Sequence, residues 1–141
     1  MTTKRRFVIL LATMMAFGCV SAKAASGGDC LLYEPASVTL RGKVFVKVFP
    51  GRPNYESIKK GDEPEGAWLL RLAKPICVKG DDNNEAEAQV SLIQVVLHQD
   101  KQFSQLRRLR RKGAVTFTGT LFHEITAHHH AKVLIWVTGM K

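Results

Sequence analysis

Cysteine is scarce in this chain, with three among 141 residues, and no two of them form a CxxC pair. The absence of that motif argues against a thioredoxin-like redox site. The sequence also has no nucleophile elbow, no P-loop, no dinucleotide-binding fingerprint and no HExxH zinc motif. Because each of these patterns marks a catalytic or cofactor site, their absence favours a binding protein over an enzyme. The sequence therefore identifies no catalytic residue and no required cofactor.

The N-terminus has the three-part pattern of a secretory signal peptide. A basic KRR at residues 4–6 precedes an apolar run at residues 7–20, and a small-x-small AKA at residues 22–24 follows. This arrangement predicts cleavage after Ala24 and a periplasmic or secreted mature protein. Lipid attachment at Cys19 is the disfavoured alternative, because the residues before it lack the usual leucine. After cleavage, we expect no transmembrane span.

The mature chain is expected to carry a moderate positive charge and one disulfide. Four basic residues leave with the signal, so 17 of the 21 Lys and Arg residues remain against 12 Asp and Glu residues, a net charge of +5. This excess permits an anionic partner without requiring one. The mature chain retains Cys30 and Cys77, and two cysteines in an oxidising compartment most simply pair with each other.

Alternating apolar residues predict five strands, with a switch to helical spacing between the third and the fourth. Phe103, Leu106 and Leu109 recur every third residue before Gly113, which indicates a short helix within residues 99–113. The predicted strands lie at residues 36–49, 67–73, 89–98, 114–125 and 131–138. Pro75 is expected to disturb the end of the second strand.

The order of three strands, one helix and two strands is typical of an OB-fold-like, five-stranded Greek-key barrel, mainly β with one short helix. We therefore predict a signal peptide at residues 1–24, a leader segment at 25–35 and a single barrel domain at 36–141. The strands of such a small barrel must coil sharply to close it, and a glycine at a bend relieves the crowding that results. Two similar stretches, VTLRGKVF at residues 38–45 and VTFTGTLF at residues 115–122, each carry a glycine at such a position.

Five short motifs carry a resemblance to a known family. They are CLLYEP at residues 30–35, FPGRPNYESI at 49–58, PICV at 75–78, GTLFH at 119–123 and TAHHH at 126–130. With these motifs the sequence resembles a small family of exported bacterial proteins known only as a domain of unknown function. The resemblance implies no activity, so it assigns no catalytic residue.

Two unusual loops supply the candidate binding residues. In OB-folds, the loop between strands one and two and the loop between strands four and five flank the ligand surface. Here these are residues 50–66 and the histidine-rich turn at 126–130. We therefore expect an envelope protein or an anionic envelope component to bind across them. The expected ligand-binding residues are Tyr55, Glu56, Asp62, His128 and His130. The alternative, in which Asn54 and Tyr55 only cap and pack the loop, remains open.

A metal site is the second hypothesis for the histidine cluster. Imidazoles of His123, His128 and His130, with the carboxylate of Glu124, are a ligand set that suits Zn²⁺ or Cu²⁺. Three adjacent histidines are not a standard ligand spacing, so an exposed turn is the competing interpretation. The same cluster is also a candidate pH sensor.

The densest charge run lies near the end of the predicted helix. Arg107, Arg108, Arg110, Arg111 and Lys112 sweep around its polar side. Cations at a helix C-terminus interact favourably with the helix dipole, which explains the run without a ligand. Contact with an anionic phospholipid or lipopolysaccharide is the functional alternative, whereas nucleic acid is disfavoured because the protein is expected to be exported.

Overall fold

The computed structural model describes residues 29–141, so the predicted signal peptide and its cleavage site lie outside the described residues. The described part contains six strands, one α-helix and two 3₁₀ turns. The strands are β1 (Leu31–Leu32), β2 (Ser37–Pro50), β3 (Pro64–Lys79), β4 (Glu87–Val96), β5 (Val115–His123) and β6 (Val133–Met140); the helix is α1 (Asp100–Leu109), and the turns are Ile58–Lys60 and Arg110–Lys112.

Five of these strands close into a barrel. They follow one another in the order β3, β2, β5, β6 and β4, and β4 pairs back with β3. The pairing of β4 with β6 is parallel, whereas the other four pairings around the barrel are antiparallel. With α1 between β4 and β5, this is the OB-fold-like Greek-key barrel expected from the sequence, and the fold class is confirmed.

The barrel interior is a continuous apolar core. Alternate residues of every barrel strand point inwards, as the period-2 pattern of a strand requires. Leu40, Leu70, Ile93, Phe117 and Ile135, one from each strand, belong to one buried cluster. The helix α1 packs against the same cluster through a fully buried leucine. Burial of each large apolar side chain contributes about 1.5–3 kcal/mol.

The two glycine-bearing stretches pair with each other in β2 and β5. Val38 lies opposite Gly119, and Gly42 lies opposite Val115, so the valine of each stretch meets the glycine of the other. A Cβ added at either glycine would collide with a backbone carbonyl oxygen, in β3 at Gly42 and in β6 at Gly119. The glycines therefore sit where a third strand approaches the pair, which is the crowding predicted for sharp coiling.

The second predicted strand differs most from the structure. It was expected at residues 67–73, whereas β3 extends from Pro64 to Lys79 and continues through Pro75. Pro75 is tolerated because it lies between Arg71 and Ile76, where the register of β3 with β4 shifts and no ladder pair forms. The ends of the other four predicted strands agree with the observed ends to within two residues.

The predicted leader at residues 25–35 contains structure that attaches it to the barrel. Its β1 pairs in parallel with the end of β3. Tyr33 is 3% exposed, and its hydroxyl donates a hydrogen bond to the backbone carbonyl of Glu85. The predicted disulfide between Cys30 and Cys77 is present, with Cα atoms 4.6 Å apart. Residues 30–33 therefore form part of the folded unit.

Candidate functional site

The two loops singled out in the sequence meet at one end of the barrel. The hydroxyl of Tyr55, in the loop between β2 and β3, lies 3.0 Å from Nε2 of His128, in the loop between β5 and β6. The two rings meet edge to face, with centroids 5.1 Å apart. These residues are 73 positions apart in the chain. Barrel topology therefore brings the loops together, as expected, and we call this region the loop junction.

Asp62 organises the β2–β3 loop, residues 51–63. Its Oδ1 accepts hydrogen bonds from the backbone and side-chain nitrogens of Asn54, at 2.9 and 3.2 Å. Its Oδ2 accepts the backbone N–H groups of Glu56 and Ser57, at 2.8 and 2.7 Å. The bond from Ser57 is the main cause that lowers the pKa of Asp62, against the opposing effect of burial. Because both carboxylate oxygens accept hydrogen bonds within the loop, Asp62 holds the loop in its folded conformation.

Tyr55 and Glu56 lie on the outer side of that loop. Glu56 has an exposed side chain, and Tyr55 is half-buried. The backbone of Tyr55 has a φ of 59°, in the left-handed region that a bulky residue rarely adopts. Such a conformation typically costs about 1–3 kcal/mol and persists only where the surrounding structure fixes it. The hydrogen-bonded loop thus holds the Tyr55 ring against His128.

Glu65, at the start of β3, joins the two predicted ligand-binding histidines. Its Oε2 lies 2.7 Å from Nδ1 of His128, and its Oε1 lies 3.0 Å from Nε2 of His130. Burial raises the pKa of Glu65, but the hydrogen bonds from His130 and His128 outweigh that effect, so the pKa lies below its usual range. Glu65 therefore stays ionised as the acceptor between two imidazoles.

A second apolar layer lies on the outside of the barrel. Leu69 and Leu134 are fully buried, although alternation along β3 and β6 turns them away from the main core. Gln94 of β4 stands between them in register, paired with one on each side. The loop between β5 and β6, residues 124–132, lies against this layer, and we call it the histidine strap.

Gln94 and Phe49 fasten the histidine strap to the barrel. The Gln94 amide nitrogen donates to the backbone carbonyl of His128 at 3.0 Å, and its oxygen accepts the backbone N–H of His130 at 2.5 Å. The ring of His130 stacks on Phe49, with centroids 4.0 Å apart. His128, which remains exposed, is thereby held at the loop junction on a fixed backbone.

His129 has an internal role in the same strap. Its Nδ1 accepts the backbone N–H of Ile125 at 2.9 Å, and its ring packs edge to face on Phe122. Burial lowers the pKa of His129, and the neighbouring imidazole of His128 adds to that effect. His129 therefore stabilises the turn as a neutral ring.

The structure does not bring His123 together with His128 and His130. His123, at the end of β5, lies 3.0 Å from Oε1 of Glu87. This hydrogen bond, opposed by burial, raises the pKa of His123. Within residues 29–141, one group of three metal-ligating side chains has all its ligand atoms within 4.8 Å, and it is Glu85, Glu87 and His123. The ligand set expected from the sequence is therefore not assembled.

The surface at the loop junction combines charged and apolar groups. A cleft of about 300 Å³ opens there, lined by Gly51, Arg52, Glu63, Pro64, Glu65, Gly66 and His128. Each loop also exposes one large aliphatic side chain, Ile58 at 43% and Ile125 at 79%. The cleft therefore carries charges of both signs, and each of the two loops exposes one apolar side chain.

The basic run at residues 107–112 lies elsewhere, on the exposed side of α1 and the following turn. Arg110 places its guanidinium 5.1 Å from the ring of Trp68, so one of the five cations packs on the barrel. The arrangement matches the expected solvated end of a helix.

Glu65 and Gln94 are the residues that sequence reasoning missed at this site. Glu65 was one of several acidic residues in the loop, and Gln94 was the polar residue that interrupts the apolar run at residues 92–96. The one signal for Gln94 was that polar interruption, because a polar group between buried neighbours requires a hydrogen-bond partner.

These features define a small, disulfide-linked OB-type barrel whose usual ligand loops are joined by hydrogen bonds. The family model "Domain of unknown function (DUF4431)" matches residues 92–141, which confirms the resemblance over α1, β5, β6 and the histidine strap. No curated protein and no solved structure matches the chain. Among residues 29–141, no helix has both the length and the apolar character needed to cross a bilayer.

Proposed function

We propose that this protein is an exported binding module that recognises an envelope protein through the loop junction. The observation that carries the proposal is the hydrogen bond between Tyr55 and His128, which unites the two loops that flank the ligand surface in OB-folds. The disulfide and the signal-like N-terminus support an oxidising compartment outside the cytoplasm.

The form of the loop junction supports recognition of a protein. Tyr55 is held in a costly backbone conformation, and such strain typically occurs where a side chain must be presented in one orientation. Ile58 and Ile125, one in each of the two loops, add exposed apolar side chains. The ionised carboxylate of Glu65 disfavours a polyanion in the cleft, so the anionic-ligand alternative has less support than a protein partner.

Capture from an envelope extract tests the proposal. The purified oxidised protein is immobilised, and the retained proteins are identified for the wild type, Tyr55→Ala, Ile125→Ala and the control Lys101→Ala. Lys101 is exposed on α1 and lies beside the end of β6, whereas the histidine strap precedes the start of that strand. We expect both loop variants to reduce retention of a defined protein at least about tenfold, as interface hot spots do, and the control to retain it.

Two outcomes would contradict this function. Equal capture by all four proteins would remove the loop junction as the binding surface. Retention on a heparin matrix that weakens with salt but is unaffected by Ile125→Ala would favour an anionic ligand instead.

Export is tested separately. We expect the mature protein to be recovered from the periplasm or the medium with Ala25 as its first residue. An intact N-terminus in the cytoplasm would contradict the proposed location.

A further inference from the structure

We propose that Glu85, Glu87 and His123 bind a divalent transition-metal ion, with Zn²⁺ as the expected ion. The three side chains come from two parts of the fold: Glu85 and Glu87 lie just before and at the start of β4, and His123 is the last residue of β5. Their ligand atoms all lie within 4.8 Å of one another. This site is separate from the loop junction and does not depend on the proposed function.

The surroundings of the His123 ring favour a cation at this position. Nδ1 lies 3.2 Å from the backbone carbonyl oxygen of Glu124, and Nε2 lies 3.0 Å from Oε1 of Glu87. Both neighbours are hydrogen-bond acceptors, but a neutral imidazole has only one N–H group. A metal ion between Nε2 and the carboxylates resolves this conflict, because Nδ1–H then donates to the carbonyl and the Nε2 lone pair faces the ion.

That arrangement is the usual one for a histidine ligand. Metal-bound histidines commonly donate their second ring N–H to a backbone carbonyl or a carboxylate, which fixes the tautomer and the ring orientation. Here the carbonyl of Glu124 occupies that position. The Tyr33 ring lies edge-on to His123, with centroids 6.2 Å apart, and limits its rotation.

The charges around the site leave the carboxylates available to an ion. The nearby Lys132 forms its ion pair with Glu124, at the strap, and not with Glu85 or Glu87. Among residues 29–141, the cationic partner of Glu87 within ion-pair distance is His123 itself. Two carboxylates therefore face one imidazole, and a divalent cation would balance their charge.

The backbone that carries the ligands is held in place before any ion binds. Asp81 accepts hydrogen bonds from the backbone N–H groups of Asn83 and Asn84, which closes the turn before β4. Tyr33 fixes the carbonyl of Glu85 at 3.1 Å. Because these contacts do not involve the carboxylate oxygens, the ligands require little rearrangement to coordinate an ion.

The donor set points to Zn²⁺. One imidazole nitrogen and two carboxylate oxygens are ligands that Zn²⁺ accepts, with water completing a tetrahedron. Mg²⁺ and Ca²⁺ prefer sites made wholly of oxygen, and Cu⁺ prefers sulfur ligands. The set also differs from the one expected from the sequence, because His123 now acts with two glutamates and without the strap.

Calorimetric titration of ZnCl₂ into the chelator-treated, oxidised protein tests the site. We expect one ion per chain, and a melting temperature that rises with Zn²⁺ concentration by mass action. Glu87→Gln and Glu85→Gln should each weaken binding by about tenfold or more. The control His128→Ala, in the histidine strap, should bind as the wild type does. Far-UV circular dichroism of the metal-free variants checks that they fold.

Each of the other outcomes overturns the proposal. If the wild type shows no binding below about 100 μM Zn²⁺, where the melting temperature should already respond by mass action, the site binds no metal. If His128→Ala abolishes binding while Glu85→Gln does not, the ion belongs to the strap. Partner capture should proceed equally with a chelator present, so failure of one proposal is distinguishable from failure of the other.

Discussion

At the scale of single residues, Gly42 and Gly119 show how a small barrel accommodates its own closure. Each glycine faces a valine in the neighbouring strand while a third strand approaches from the other side. The sequence predicted glycines at crowded positions. It could not indicate that each would be paired with the valine of the other stretch, because register depends on the whole sheet.

Substitution of Gly119 tests that crowding. We expect Gly119→Ala to destabilise the protein by at least about 1–3 kcal/mol, because the new Cβ must displace a backbone carbonyl of β6. In Gly66→Ala the nearest atom would be Cγ1 of Val46 at 3.6 Å, an ordinary contact, so this control should change stability by less than about 0.5 kcal/mol. Urea unfolding measures both, and equal stability of the two variants would contradict the crowding.

Asp62 gives a prediction about pH. Its pKa is lowered in the folded protein, so its contribution to stability is present above the unfolded pKa and is lost as pH falls through the folded pKa. We expect Asp62→Asn to melt below the wild type at about pH 7 and the difference to shrink at about pH 2. Asp82→Asn, at an exposed turn position, is the control and should show no such difference. A gap for Asp62→Asn that is constant with pH would contradict the assignment.

At the scale of elements, the strands and the helix could be predicted from apolar periodicity, whereas the pairings and contacts that depend on neighbouring elements could not. The two-residue β1 is too short to give a periodic pattern. Pro75 was expected to disturb the end of the second strand, because the register shift that accommodates it exists only once β3 pairs with β4. For the same reason, Glu65 and Gln94 could not be assigned to the site from the sequence. Their roles depend on the path of the strap across the outside of the barrel, which no local pattern specifies.

The attachment of the strap can be measured directly. Gln94→Ala removes the amide that bonds the backbone at His128 and His130. We expect the backbone amides of residues 124–132 to exchange with deuterium several-fold faster, and stability to fall by about 1–3 kcal/mol because buried polar groups lose partners.

Gln105→Ala is a matched control for that experiment. Gln105 also donates a side-chain hydrogen bond to a backbone carbonyl, that of Met140, but far from the strap. It should leave exchange in residues 124–132 unchanged. Unaltered exchange in Gln94→Ala would show that the remaining contacts of the strap, such as those of Glu65 with His128 and His130, hold it without Gln94.

At the scale of the whole molecule, the disulfide joins the N-terminal segment to the far end of β3. It closes a loop of 47 residues, for which the loop-entropy model gives about 4 kcal/mol of stabilisation. We expect the double variant Cys30→Ser, Cys77→Ser to lose about that much free energy of unfolding in urea. The oxidised wild type treated with reductant should reach the same value, and an unchanged midpoint in either case would contradict a structural role.

The histidine strap has a consequence for how the barrel can be used. The outer surface of β3 and β4 corresponds to the face on which OB-folds bind oligonucleotides or oligosaccharides, and here the chain's own Leu69, Gln94 and Leu134 occupy it beneath the strap. An oligonucleotide or oligosaccharide could bind this face only if residues 124–132 moved away, which would expose Leu69 and Leu134 to solvent. The strap therefore shields this face, and a ligand that leaves the strap in place would have to bind at its edge.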